Sequence, residues 1–66
     1  MKAPRLRVLR ETRALTQQEL AEKAGVTRGT VTRIEAGYDG YPPTIRKLAA
    51  ALGVEPSELM ANEPVA

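Results

Sequence analysis

Apolar positions along this chain recur three and four residues apart, the spacing of helices that bury one stripe. In LRVLRETRAL the stripe is Leu6, Leu9 and Leu15, and Pro4 suits a first turn, which predicts a helix over about Pro4 to Arg13. Thr16-Gln17-Gln18-Glu19 follows as a capping box: the threonine hydroxyl accepts from the amide three residues on, and the glutamate reaches back to the threonine amide. A second helix is therefore predicted from Gln17 to about Ala24. Leu20, Ala21 and Ala24 form its apolar face, small enough to let another helix approach, and Gly25 stops it.

Only Val26 separates Gly25 from the next cap, Thr27, so the following helix must leave at a steep angle. It is predicted over about Arg28 to Ala36, with Val31 and Ile34 as its only large apolar residues. These make one narrow seam, and Arg28, Gly29, Thr30, Thr32 and Arg33 face away from the core. Gly37 closes this helix, and the run Tyr38 to Pro43, with Gly40 and the Pro42-Pro43 pair, reads as a loop. A fourth helix is predicted from about Thr44 to Leu52, buried through Ile45, Leu48, Ala49 and Leu52 and ended by Gly53. Pro56 suits the first turn of a fifth, to about Ala61, docked by Leu59 and Met60 while Val54 packs in the connection. The fold class is all-α, with one domain over residues 1–61 and a short tail at 62–66.

A chain of 66 residues holds one small domain with one core. It has no cysteine and no histidine, so neither a disulfide nor a thiolate or imidazole metal site is available as a staple, and no cofactor is expected. No apolar run approaches the roughly 20 residues of a membrane span, and the charged N-terminus lacks a signal peptide's apolar region. A soluble, cytoplasmic protein is expected. Net charge is only +2, but it is unevenly placed. Residues 1–33 carry eight basic residues against three acids, a net +5, and residues 34–66 carry two against five, a net −3. Such asymmetry suits a molecule that turns one face to a polyanion, and a solvated surface explains it equally well.

The stretch LTQQELAEKAGVTRGTVTRIEAG resembles the helix-turn-helix of the phage repressor and Cro-like family, also called the xenobiotic response element family. Counting from Gln17, the family pattern asks for apolar residues at the fourth, eighth, tenth, fifteenth and eighteenth positions, a small one at the fifth and glycine at the ninth. The chain supplies Leu20, Ala24, Val26, Val31, Ile34, Ala21 and Gly25. TIRKLAAALGVEPSELM is similar to the family's fourth and fifth helices, so the likeness runs from about Arg5 to Met60. It implies a compact, lambda-repressor-like five-helix bundle that binds double-stranded DNA and regulates transcription, as a repressor.

In that family the third helix enters the major groove, about 12 Å wide, while the start of the second lies on the sugar-phosphate backbone. The resemblance makes Thr27, Arg28, Gly29, Thr32 and Arg33 the candidates for base contact. Arg28 and Arg33 lie about 140° apart around a helix, so they flank its exposed face. Gly29 departs from the larger polar residue usual there and is read as permitting close approach. Gln17 matches the family residue that clamps backbone; Thr30, the loop amides of Gly40 and Tyr41, and the Thr44 end of the fourth helix join it as phosphate candidates. The loop reads Tyr38-Asp39-Gly40-Tyr41 where many relatives carry arginine or lysine, and Tyr38 is assigned to packing. Arg10 and Glu35 match a structural ion pair of the family. Arg5, Arg7, Arg13 and Lys23 are expected to be solvated.

One reading helix covers few base pairs, and relatives usually bind palindromic half-sites as homodimers. Val54, Leu59 and Met60 are the candidate interface. Two other function classes compete. Catalysis is disfavoured, because there is no histidine, cysteine or serine cluster and the acids scatter over helix surfaces. An antitoxin-like or adaptor module uses the same fold, and the acidic second half suits a basic protein partner.

Overall fold

Two threonines set the entry points of the central helices. In the computed structural model of the chain, which describes residues 1–61, Thr16 Oγ1 accepts the Glu19 amide at 3.0 Å while Glu19 Oε1 accepts the Thr16 amide at 2.9 Å. Thr27 Oγ1 accepts the Thr30 amide at 3.2 Å. The helices run α1 Leu6–Thr12, α2 Gln17–Ala24, α3 Arg28–Glu35, α4 Pro42–Leu52 and α5 Pro56–Met60, with no strand among the described residues. The expected tail at 62–66 lies outside the described residues. None of these helices is long and apolar enough to cross a membrane.

The ends of α1, α2, α3 and α4 are built alike. After α1, the Leu15 amide donates to Arg10 O and the Ala14 amide to Glu11 O, and the same pair of bonds recurs at Val26 and Gly25, at Tyr38 and Gly37, and at Val54 and Gly53. This closure needs a residue at positive φ to turn the chain back on the last carbonyls. Glycine holds that place three times, and Ala14, at φ +57°, holds it after α1.

Two expected helix starts move, and the ends of α1, α3 and α5 each fall one residue early. Helix α1 starts at Leu6: Pro4 and Arg5 form a turn in which the Arg5 amide donates to Leu59 O at 3.2 Å, while Ala3 is buried in the core and the Lys2 ammonium donates to Gly37 O at 2.7 Å. Helix α4 starts at Pro42. The Pro42-Pro43 pair, read from the sequence as loop, occupies the first turn, where a missing N–H costs nothing and the fixed φ is already helical.

The core lies where the helices converge, with Leu6, Leu20, Val31, Ile45, Leu48 and Leu59 fully buried. Helix α2 packs on both α3 and α4, α1 on α3 and α5, and α4 on α5. Leu59 was a candidate for a dimer interface; it has no exposed surface, because the short α5 turns it inward against the core. Val54 and Met60 are half-buried.

Candidate nucleic-acid interface

Val31 and Ile34 anchor α3 in the core, so the remaining side of the helix is left outward. Thr27, Arg28, Gly29, Thr32 and Arg33 are all exposed along it, and Thr30 is half-buried at its edge. Thr27 has a structural duty as well. Its hydroxyl caps α3 and lies 2.9 Å from Thr30 Oγ1, which ties the two hydroxyls together.

On one flank, a hydrogen-bonded chain runs from α1 through α3 to α2 and back. Arg10 Nε donates to Glu35 Oε2 at 2.6 Å and Nη2 to Oε1 at 3.1 Å, while Nη1 donates to Leu15 O at 2.7 Å. All the guanidinium nitrogens are thus engaged. The hydrogen bond to Glu35, opposed by burial and helped by the charges of Glu35 and Glu11, holds the Arg10 pKa above its ordinary value. Gln17 Nε2 donates to Glu35 Oε1 at 3.0 Å, and Gln17 Oε1 accepts from Thr32 Oγ1 at 3.0 Å. Arg7, Gln17 and Thr32 border an open cleft of about 310 Å³ here. The Gln17 amide keeps one N–H for a ligand.

On the other flank, Thr30, Arg33, Tyr41 and Thr44 line a cleft of about 180 Å³ between α3 and the start of α4. The two prolines remove N–H groups from that helix start, and the amides of Tyr41 and Thr44 make no hydrogen bond among the described residues. The positive end of α4 and these amides suit an anion. Gly40, a candidate from the sequence, is not free to take part. Its amide donates to Met1 O at 2.7 Å, its carbonyl accepts from the Met1 ammonium at 2.9 Å, and the residue is buried.

Asp39, the acid in this loop, faces the Met1 ammonium at 3.6 Å and the Lys2 ammonium at 3.7 Å. These pairs are largely exposed and energetically slight, and the Asp39 carboxylate is itself part of the cleft lining, opposite in sign to Arg33. Tyr38, assigned to packing, is 62% exposed and packs little, because Gly37 turns the chain outward before it.

Sequence reasoning missed Lys2 and the hydrogen bonds of Arg13. Arg13 is exposed as expected, and it also donates from Nε to Leu52 O at 2.7 Å and from Nη1 to Leu9 O at 3.2 Å, which ties the end of α4 to α1. A basic residue in a last turn was the available signal, but nothing in the sequence names a carbonyl 39 positions away.

A family model described as "Helix-turn-helix domain" matches residues 3–61. The chain is 47% identical over 57 residues to the HTH-type transcriptional repressor RghR of Bacillus subtilis, covering 83% of this chain and 42% of that protein. It is 39% identical over 62 residues to the immunity repressor protein of Bacillus phage phi105, covering 89% of this chain and 42% of that one. The chain therefore spans under half the length of these curated relatives. Among solved structures, the restriction-modification controller protein C.AhdI from Aeromonas hydrophila superposes with a TM-score of 0.81 at 41% identity, over 86% of this chain and 88% of that one.

Proposed function

The chain belongs to the phage repressor and Cro-like helix-turn-helix family, and on that footing we propose that it binds double-stranded DNA sequence-specifically and represses transcription. The observation that carries this reading is the outward side of α3: a continuous polar face with Arg28 and Arg33, on a helix fixed by Val31 and Ile34 and flanked by clefts. Arg28 and Arg33 have the geometry for guanine O6 and N7, and Thr32 for a base edge beside them. Gly29 lets the helix sit close, and Thr27 adds a methyl to the same face. Gln17, with its spare N–H, takes a backbone phosphate on one flank, and Thr30, Tyr41 and Thr44 take another across α3.

The relatives named as repressors support repression in preference to activation. Occlusion of a promoter needs no surface beyond the DNA-bound one. A homodimer on a palindromic operator follows from the small footprint of one helix, with Val54 and Met60 as the half-buried apolar edge available to it.

Selection of bound duplexes from a random library, at two salt concentrations, tests the reading. Enrichment of a two-fold motif with half-sites about one helical turn apart is expected. Weak, salt-sensitive binding with no enriched sequence overturns it in favour of a protein partner.

A further inference from the structure

We propose that Thr32 meets the base edge as a hydrogen-bond acceptor only, because a chain of hydrogen bonds starting at Arg10 fixes the direction of its hydroxyl. The inference rests on the reading of α3 as the helix that enters the groove, and it adds the chemical polarity of one contact.

The chain is directional at every link. A guanidinium has donors and no acceptor, so both Glu35 oxygens face Arg10 as acceptors, at 2.6 and 3.1 Å. Glu35 Oε1 also meets the Gln17 side-chain amide at 3.0 Å, and a carboxylate accepting from arginine receives only a donor there. The amide must therefore present its NH2 to Glu35. This settles the orientation of the Gln17 amide, whose nitrogen and oxygen have similar shapes and are told apart by their partners. Its oxygen then points at Thr32 Oγ1, 3.0 Å away, and an amide oxygen has no hydrogen to give. The Thr32 hydroxyl is the donor in that bond.

An unconstrained threonine hydroxyl serves either as donor or as acceptor and so tolerates either kind of base edge. At Thr32 the single proton is committed to Gln17, and only lone pairs and the γ-methyl remain for the groove. The edge that satisfies them carries an exocyclic amine, adenine N6 or cytosine N4. Guanine O6 and N7, or thymine O4, would face lone pair against lone pair. The anchoring end of the chain is well shielded, with the side chains of Arg10 and Glu35 only 11% and 5% exposed, so the pair that sets the polarity is held away from competing water. The Gln17–Thr32 bond lies at the exposed edge and loses its water when α3 docks, where the direction of a hydrogen bond counts most.

Single-atom base analogues test this with the full chain. The base pair whose preference changes in Thr32→Val, which keeps the shape and loses the hydroxyl, is located on the selected operator. At that pair the amine is then deleted, with purine in place of adenine or 2-pyrimidinone in place of cytosine. The wild type should lose roughly tenfold in affinity, and Thr32→Val less than about twofold. Deleting the purine N7 with a 7-deaza base should affect neither. Gln17→Met, which releases the hydroxyl, should keep the wild-type fold, narrow the penalty for amine deletion and admit an acceptor-bearing edge at the same pair. A Gln17 that only holds the fold or a phosphate would weaken all sequences by one factor.

Wild-type indifference to the missing amine, a loss on 7-deaza substitution, or no shifted base pair in Thr32→Val overturns the assignment while leaving DNA reading intact. Failure of the wild type to enrich any sequence removes DNA reading and the inference with it.

Discussion

Arg10 and Glu35 meet at two points across the domain, Nε to Oε2 at 2.6 Å and Nη2 to Oε1 at 3.1 Å, and so join α1 to the last residue of α3. The third Arg10 nitrogen holds Leu15 O at 2.7 Å, in the connection that leads into α2. One side chain on α1 therefore holds both the end of α3 and the connection that leads into α2. Glu35→Ala would leave a buried guanidinium without its carboxylate, which costs about 3 kcal/mol in comparable settings. Thermal unfolding should show a large drop in melting temperature. Replacing both partners by apolar residues of similar volume should cost much less, since no charge is left unpaired. An unchanged melting curve for Glu35→Ala would remove the structural role.

Arg33→Ala should cost about 1–3 kcal/mol of specific binding and relax preference at one base pair. Arg33 stands on the exposed side of α3 and also borders the cleft with Thr30, Tyr41 and Thr44. Titration of the variant against the selected operator and its single-base changes separates the two uses of the side chain. A loss of equal size on every sequence would make Arg33 a phosphate ligand.

The connection after α1 stores strain that a single substitution should release. Ala14 is held at φ +57°, where the side chain of an L-residue crowds its own backbone and costs roughly 1–2 kcal/mol. Ala14→Gly removes that cost and gives back part of it through a more flexible unfolded chain. A net gain of about 0.5 kcal/mol is expected, a rise of a few degrees in a domain this small. A fall in melting temperature would mean that the Ala14 methyl contributes packing that outweighs its strain.

What the sequence made readable was local. Thr16 and Thr27 announce α2 and α3 because a hydroxyl three residues before a free amide is a short-range device, and Val31 and Ile34 point inward because three residues nearly complete a turn. The outward residues of α3 follow by elimination. What stayed hidden depends on partners far along the chain: Met1 against Gly40, Lys2 against Gly37, and Arg13 against Leu52. Ala14 hides a helix ending that glycine usually marks. Leu59 docks α5 against the core as its sequence position suggests, and that burial leaves it no surface for the dimer interface it was also offered for. Gln17 was read as a phosphate ligand alone, since nothing in the linear order shows its two side-chain bonds to α3.

Two glycines near the reading helix should respond to the same added methyl in opposite ways. At Gly29, in the first turn of α3, a Cβ would meet only Thr27 Oγ1 at 3.9 Å, an ordinary contact. Gly29→Ala should therefore stabilise the fold by about 0.5 kcal/mol through helix propensity. The same methyl stands on the outward face, so DNA affinity should fall several-fold if the helix sits as close as proposed. At Gly40 a Cβ would lie 2.8 Å from Ile34 Cδ1 and 3.0 Å from Ile45 Cδ1, both in the packed core. Those δ-methyls must shift, and Gly40→Ala should destabilise by about 1–2 kcal/mol. Because Ile34 anchors α3 from beneath, that strain is passed to the reading helix, and DNA binding should weaken along with stability. Melting curves and operator titrations of both variants decide the matter: Gly29→Ala must separate stability from affinity, and Gly40→Ala must lower the two together. A Gly29→Ala protein that is both more stable and as tight on DNA would show that the groove leaves room for a side chain at that position.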